Sequence, residues 1–310
     1  MFRTARALPL LLALPAVFAP VFAPAARAQT AAPVPAALIV PLAVPPPSSE
    51  HLLFCNKPEK IVVAGTHADA MLRAGQTYTV FFHYRNMTRS RGDLVLALSG
   101  TPGKPLRFVA RRGFGDPQRD PTLAGRQAMA RYLSAADQPY TGAGGAHFSV
   151  SVGGRETASG LVTISAKTDA RLRIYWRHNK WSVPGASIVT LDSPRRAVAV
   201  ALSPQNRVSY CRIGLPEIGM DKGFDGTYGM MYSFHVAAPV GSRVRVSFSP
   251  RGGKAGLVGS VNGTMRQSEI VGTGQWRGFC EAVMGKDGLR LTTAPFGGVF
   301  YPVELQFRLI

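Results

Sequence analysis

A mainly β protein is expected: two antiparallel β-sandwich-like units, with one short helix in the first. Three observations lead there. From Lys60 onward the chain is a series of short segments alternating apolar and polar residues, separated by Gly, Pro, Asn and Asp. A single segment has apolar residues at helical spacing. Once an N-terminal leader is set aside, roughly 280 residues remain, which suits one large all-β domain or two packed sandwiches.

The leader is Met1 to Ala28. Arg3 and Arg6 form a positive start, Leu8 to Ala23 is apolar, and Ala26-Arg27-Ala28 supplies a small-residue cleavage pattern before Gln29. Pro9, Pro15 and Pro20 interrupt the apolar run, and it is shorter than the ~20 residues of a spanning helix, so a signal peptide is expected rather than an anchor. No later stretch reaches a spanning length. The expected location is therefore extracytoplasmic, in the periplasm, at the cell surface or secreted. Residues 29–50 are rich in Ala and Pro, with a Pro45-Pro46-Pro47 run, and read as an extended linker.

Residues 51–203 are expected to form the first sandwich. Thr77 to Arg85 alternates so that Tyr78, Val80, Phe82 and Tyr84 share the core face. Further strands are expected at Leu94–Leu98, Leu106–Arg111, Ala146–Val152, Leu161–Ala166, Arg171–His178, Ser187–Leu191 and Ala197–Leu202. Asp120 can cap the free N–H groups of a helix whose first position is Pro121, and Leu123, Ala130 and Leu133 recur at helical spacing. That places a helix near 121–134, laid against an edge or end of the first sandwich.

Ser203 to Arg207 reads as a boundary, and residues 204–310 as the second unit. Tyr228, Met230, Tyr232, Phe234 and Val236 should face inward. Strands follow at Arg243–Phe248, Leu257–Val261, Thr264–Val271, Gly278–Val283, Leu289–Thr293 and Val299–Leu309.

Cys55, Cys211 and Cys280 are the three cysteines, and an oxidising compartment permits one bridge and one leftover thiol. Cys211 with Cys280 is the favoured pair because both lie in the C-terminal half; a bridge from Cys55 is the alternative. The odd cysteine is read as a buried thiol.

Catalytic patterns are missing: there is no G-x-S-x-G elbow, no H-E-x-x-H helix, no P-loop and no G-x-G-x-x-G after a strand. Catalytic residues are therefore unassigned. None of His51, His67, His83, His147, His178 and His235 is close enough in sequence to another to suggest local metal ligation, and no cofactor or metal is expected. Glu217, Asp221 and Asp225 in a Gly-rich loop raise a calcium site, but Asp225-Gly226 is itself a hairpin signal and turn-forming acids are the preferred reading.

Charge carries the strongest signal. The chain has 36 Lys and Arg against 17 Asp and Glu, a formal +19, and losing Arg3, Arg6 and Arg27 with the leader leaves about +16. Arg171, Arg173, Tyr175 and Arg177 alternate with Leu172, Ile174 and Trp176, so one strand face carries three arginines around a tyrosine at ~6.6 Å spacing. Arg243 and Arg245 repeat the arrangement, Arg107 and Arg111 add to it, and Arg251 and Lys254 flank glycines in Ser249 to Ala255. These residues, Arg171, Arg173, Tyr175, Arg177, Arg243, Arg245, Arg251 and Lys254, are the candidate polyanion-binding set.

Several short pieces resemble a group of secreted bacterial β-rich proteins, some of which carry copper-amine-oxidase-like N-terminal domains. The pieces are DGTYGMMYSF (Asp225 to Phe234), SPRGGKAG (Ser249 to Gly256) and TAPFGGVFYPVEL (Thr293 to Leu305). HYRN (His83 to Asn86), GDP (Gly115 to Pro117) and LAGRQAMARYL (Leu123 to Leu133) extend the likeness into the first half. The resemblance implies an extracellular β architecture and transfers no catalytic residue. The expected function is an exported, non-catalytic binding protein for an anionic envelope polymer or polysaccharide, with no physiological nucleic-acid partner. The alternatives are an extracellular enzyme acting on an acidic polysaccharide and a cell-surface assembly protein.

Overall fold

Alternation decides which face of each strand is buried, and β sandwiches follow from it in both halves of the chain. The computed structural model describes residues 49–57, 59–62, 65–177, 187–192, 194–215 and 226–310. The residues expected to form the leader and nearly all of those expected to form the linker, with His178 and the stretch holding Glu217, Asp221 and Asp225, lie outside the described residues.

The first half runs through β1 (Glu50–Lys57), β2 (Lys60–Ile61), β3 (Gly65–Leu72), β4 (Thr77–Asn86), β5 (Gly92–Gly100), β6 (Leu106–Phe114) and α1 (Pro121–Ser134). It continues through β7 (Gln138–Gly142), β8 (Gly145–Val152), β9 (Thr157–Ala166), β10 (Ala170–Arg177) and β11 (Ser187–Asp192). A sheet ordered β11-β1-β4-β9-β6-β7, with β2 beside β4, packs on a four-stranded sheet ordered β3-β10-β5-β8. Tyr78, Val80, Phe82 and Tyr84 of β4 point into the core between them, as the alternation requires, and meet Leu94, Leu172, Ile174 and the fully buried Trp176.

The second half contains β12 (Arg195–Ala201), β13 (Val208–Ile213), β14 (Met231–Ala237), β15 (Arg243–Pro250), β16 (Val258–Val261), β17 (Thr264–Gln267), β18 (Arg277–Val283), β19 (Leu289–Thr293) and β20 (Val303–Leu309). The sheets are β12-β14-β19-β16-β17 and β13-β20-β15-β18. Phe234 and Phe307 meet between them with ring centroids 5.3 Å apart.

Two features differ from the expectation. β12, assigned by pattern to the first strand series, pairs in parallel with β14, so the chain enters the second pair of sheets by Arg195 rather than at 203–207. β1 and β4 are also parallel neighbours, because the intervening β3 belongs to the opposite sheet and the chain returns after crossing; β13 plays the same part between β12 and β14.

The helix spans Pro121–Ser134 as expected, with the Asp120 carboxylate accepting from the backbone N–H groups of Thr122 and Leu123. Its place is different: it lies on the outer face of the larger first sheet, against β6 and β9, and also touches β16 and β17 of the second half. A side chain at Gly125 would strike the Gly297 carbonyl, so two glycines allow the helix and the 297–298 loop to meet backbone to backbone. Because of this junction the outer face of β4 is buried too, and Leu52, Phe54, Phe81 and Leu161 join Met129 and Tyr132 in the core of the second half.

All three cysteines are free, which corrects the expected Cys211–Cys280 bridge. Cys211 is on β13 and Cys280 on β18, at opposite edges of one four-stranded sheet. Three inter-strand steps of about 4.8 Å separate them by roughly 14 Å, twice the reach of a disulfide. Among the described residues no helix is long and apolar enough to cross a membrane.

Candidate functional site

The expected arginine face exists, but it is not a bare cationic surface. Arg171, Arg173 and Arg177 of β10 are exposed on the outer face of the smaller first sheet, with Tyr175 half-buried among them. Register places acids beside them. Arg171 donates two hydrogen bonds to Asp69 of β3, at 2.8 and 2.6 Å, and Arg177 donates one to Asp93 of β5 at 2.9 Å. The Arg171 hydrogen bonds hold the Asp69 carboxyl below the usual carboxylate range.

The same compensation recurs in the second half. Arg243 and Arg245 both bond Glu281 across the β15–β18 ladder, at 2.8 and 2.6 Å. Arg251 and Arg212 both bond the fully buried Glu304, and the Arg251 guanidinium also lies 5.5 Å from the Trp276 ring centroid. Arg111 is paired with Asp137. The exposed pairs add little stability, but each acid lowers the local field that a polyanion would feel; Glu281 and Glu304 each face two guanidiniums, so one positive charge is left at each.

A different set of arginines converges without acids. Arg85 at the end of β4, Arg89 in the turn after it, Arg119 before the helix cap and Arg155 after β8 line a cavity of about 430 Å3 together with Thr88 and Gly154. Among the described residues none of the four makes an ion pair, and the Arg85 Nε is buried without a hydrogen-bond partner. The fully buried Asn86 brings two of the turns together. Its Nδ2 donates to the carbonyls of Ser90, Val152 and Gly153 at 2.9, 3.2 and 3.0 Å, while its Oδ1 accepts from the Thr88 N–H and hydroxyl. The Arg155 N–H donates to the Asn86 carbonyl at 2.7 Å with Arg155 at φ 65°, a left-handed conformation that is uncommon for a residue with a Cβ. Four guanidiniums, each a planar fork of donors, suit carboxylate, sulfate or phosphate oxygens.

These four were not singled out by pattern reading. The one local signal is the density of cations in Arg85 to Arg91 (RNMTRSR), with no acid before Asp93. Arg119 and Arg155 are distant in sequence, and the Asn86 clasp is a tertiary feature.

Beside this mouth lies a second cavity of about 380 Å3 at the junction of the two sandwiches, reached along one face of β4. Phe81, His83 and Arg85 follow at two-residue steps on that face, about 6.6 Å apart, and Arg119 and Asp120 are adjacent in the chain. His83 is 2 % exposed and neither ring nitrogen has a hydrogen-bond partner. Burial pushes its pKa down to about 4, so the imidazole is neutral and its 4.0 Å approach to Glu59 is not an ion pair at neutral pH. The Asn56 Oδ1 is likewise buried and unpartnered. Tyr228, whose hydroxyl donates to the Val299 carbonyl at 2.6 Å, stacks near Phe81, and Phe300 is 55 % exposed at the rim. Lys254 of the expected set lines this cavity, away from the β10 stripe.

A third cavity, of about 630 Å3, opens at the β7–β8 edge of the first sandwich, where Phe108 and Tyr140 stack and the Arg112 guanidinium covers the Phe148 ring. Among the described residues no group of three or more His, Cys, Asp or Glu is placed to hold a metal ion.

No protein-family model and no curated protein matches the chain. Among solved structures, the N-terminal CBM22-1–CBM22-2 tandem domain of Xyn10C from Paenibacillus barcinonensis aligns with 74% of this chain and 82% of its own, at 11% identity and a TM-score of 0.20. Likeness at that level adds nothing to the geometry described above.

Proposed function

We propose that the chain is an exported binding protein for acidic envelope polymers or anionic polysaccharide, and that the arginine mouth is where it holds them. One observation carries this reading: Arg85, Arg89, Arg119 and Arg155 share a concave site with no carboxylate to neutralise them, whereas five arginines of the expected set are paired with one, Arg243 and Arg245 sharing Glu281 and Arg251 sharing Glu304 with Arg212. Like charges gathered in this way repel, and a bound anion relieves the repulsion. The leader pattern supports export, and the formal +19 of the whole chain supports attraction of a polyanion from a distance.

The test is affinity for polygalacturonate as a function of salt. Arg119→Ala with Arg155→Ala is expected to weaken binding about tenfold or more at low salt and to flatten its salt dependence. Replacing Arg171, Arg173 and Arg177 by Ala is expected to change it less than about threefold, since Asp69 and Asp93 already compensate that face. Equal affinity of the double variant and the parent protein would overturn the reading.

A further inference from the structure

The cavity beside the arginine mouth has a different chemistry, and the difference bears on what the ligand is. Its polar groups are the unpartnered Asn56 Oδ1, the Glu59 carboxylate and Asp120, of which one oxygen already caps the helix, with the Lys254 ammonium as the cation among them. Acceptors in a recess call for a ligand that brings donors. A phosphate or sulfate brings none when ionised and would meet two carboxylates against the single Lys254 ammonium. Hydroxyl groups supply donors without charge.

The spacing of His83 and Glu59 points the same way. The imidazole Nε2 is 4.0 Å from the Glu59 carboxylate, too far for a direct hydrogen bond, and its burial leaves it otherwise unsatisfied. Nε2 has almost no accessible surface with Glu59 in this position; a shift of the exposed Glu59 side chain would admit one hydroxyl oxygen about 2.8 Å from both, exchanging a hydrogen bond with the ring nitrogen and donating to the carboxylate. Gly297 packs its backbone against the other edge of the ring, where a Cβ would strike Nδ1, so the imidazole is held in place.

Aromatic surface completes the site. Phe81 is covered by the stacked rings of Phe54 and Tyr228, so the rings with accessible surface are the half-buried Tyr228 and Phe300, which is exposed at the rim. Flat rings next to hydroxyl-seeking acceptors fit a pyranose, which has an apolar C–H face and a hydroxylated edge. A volume of about 380 Å3 is at the small end for ligand sites, matching a short stretch of sugar rather than a long chain.

We infer that the cleft between the two sandwiches takes a pyranose unit of a uronate-containing polysaccharide while a neighbouring carboxylate of that chain sits in the arginine mouth. This rests on the anion-binding reading and narrows it from acidic polymers at large to acidic glycans. The β4 face supplies the continuity, since His83 and Arg85 stand one pleat apart.

The experiment compares oligogalacturonate with polyphosphate of equal charge at equal salt, on the full protein and three variants. Two variants change exposed cleft residues that the fold does not need, Glu59→Gln and Phe300→Ala; the third is the Arg119→Ala, Arg155→Ala protein. Circular dichroism and thermal melts confirm that each is folded. The parent protein is expected to prefer oligogalacturonate by about tenfold, and each cleft variant to lower oligogalacturonate affinity by about three- to tenfold while leaving polyphosphate unweakened. The arginine variant should lose both ligands. If the parent binds the two alike or favours polyphosphate, or if the cleft variants keep their preference, the glycan inference fails and the anion site stands. If the arginine variant loses neither ligand, the anion-binding reading itself fails.

Discussion

His83 illustrates how one side chain can hold both a structural cost and a role. Above about pH 6.5 its imidazole is neutral in the folded and the unfolded chain and adds no pH dependence. Between about 6.5 and about 4 the unfolded chain takes up a proton that the buried ring refuses, so stability is lost as pH falls through that window. The full loss is about 3 kcal/mol. His67, buried against Tyr84, shifts in the same direction and also destabilises the fold in acid. Urea unfolding at a series of pH values is expected to show the parent protein losing more stability below pH 6.5 than His83→Gln, with the gap widening towards pH 4; parallel curves would show that His83 is not held neutral. At neutral pH the same ring stays available to exchange a hydrogen bond with a ligand.

At the scale of elements, the helix is where propensity and packing disagree. Gly125 lies inside α1, and in an isolated helix Gly to Ala is worth about 1 kcal/mol of added stability. Here the new methyl would meet the Gly297 carbonyl of the second half. Gly125→Ala is therefore expected to lower stability by about 1–3 kcal/mol, seen as a lower urea midpoint at unchanged slope. A raised midpoint would mean that the helix does not pack against the second half in this way.

The same scale shows what could be read beforehand. The helix ends, from Pro121 to Ser134, follow from the Asp120-Pro121 pair and the apolar spacing, and the β4 core face follows from its alternation. The strand Gly65–Leu72 was not anticipated, and with it went Asp69, the partner of Arg171. Alternation tells which face an arginine occupies; only register tells what stands beside it. Cys211 and Cys280 failed as a pair for that reason too, since closeness within one half of the sequence does not place two strands side by side.

For the molecule as a whole, the two sandwiches share a junction built from α1, the outer face of β4 and the 297–300 loop, and the most ligand-like features gather around it. Net charge was legible in the composition, but the place where it is uncompensated was not. That place depends on Asn86 drawing together the turns that carry Arg89 and Arg155, and on Arg119 lying next to the helix cap. The most direct measurement is a crystal structure of the protein with a short oligogalacturonate bound. A uronate carboxylate is expected in contact with the guanidinium groups of Arg119 and Arg155. Sugar density lying over Arg171, Arg173 and Arg177 with the arginine mouth empty would rule that site out.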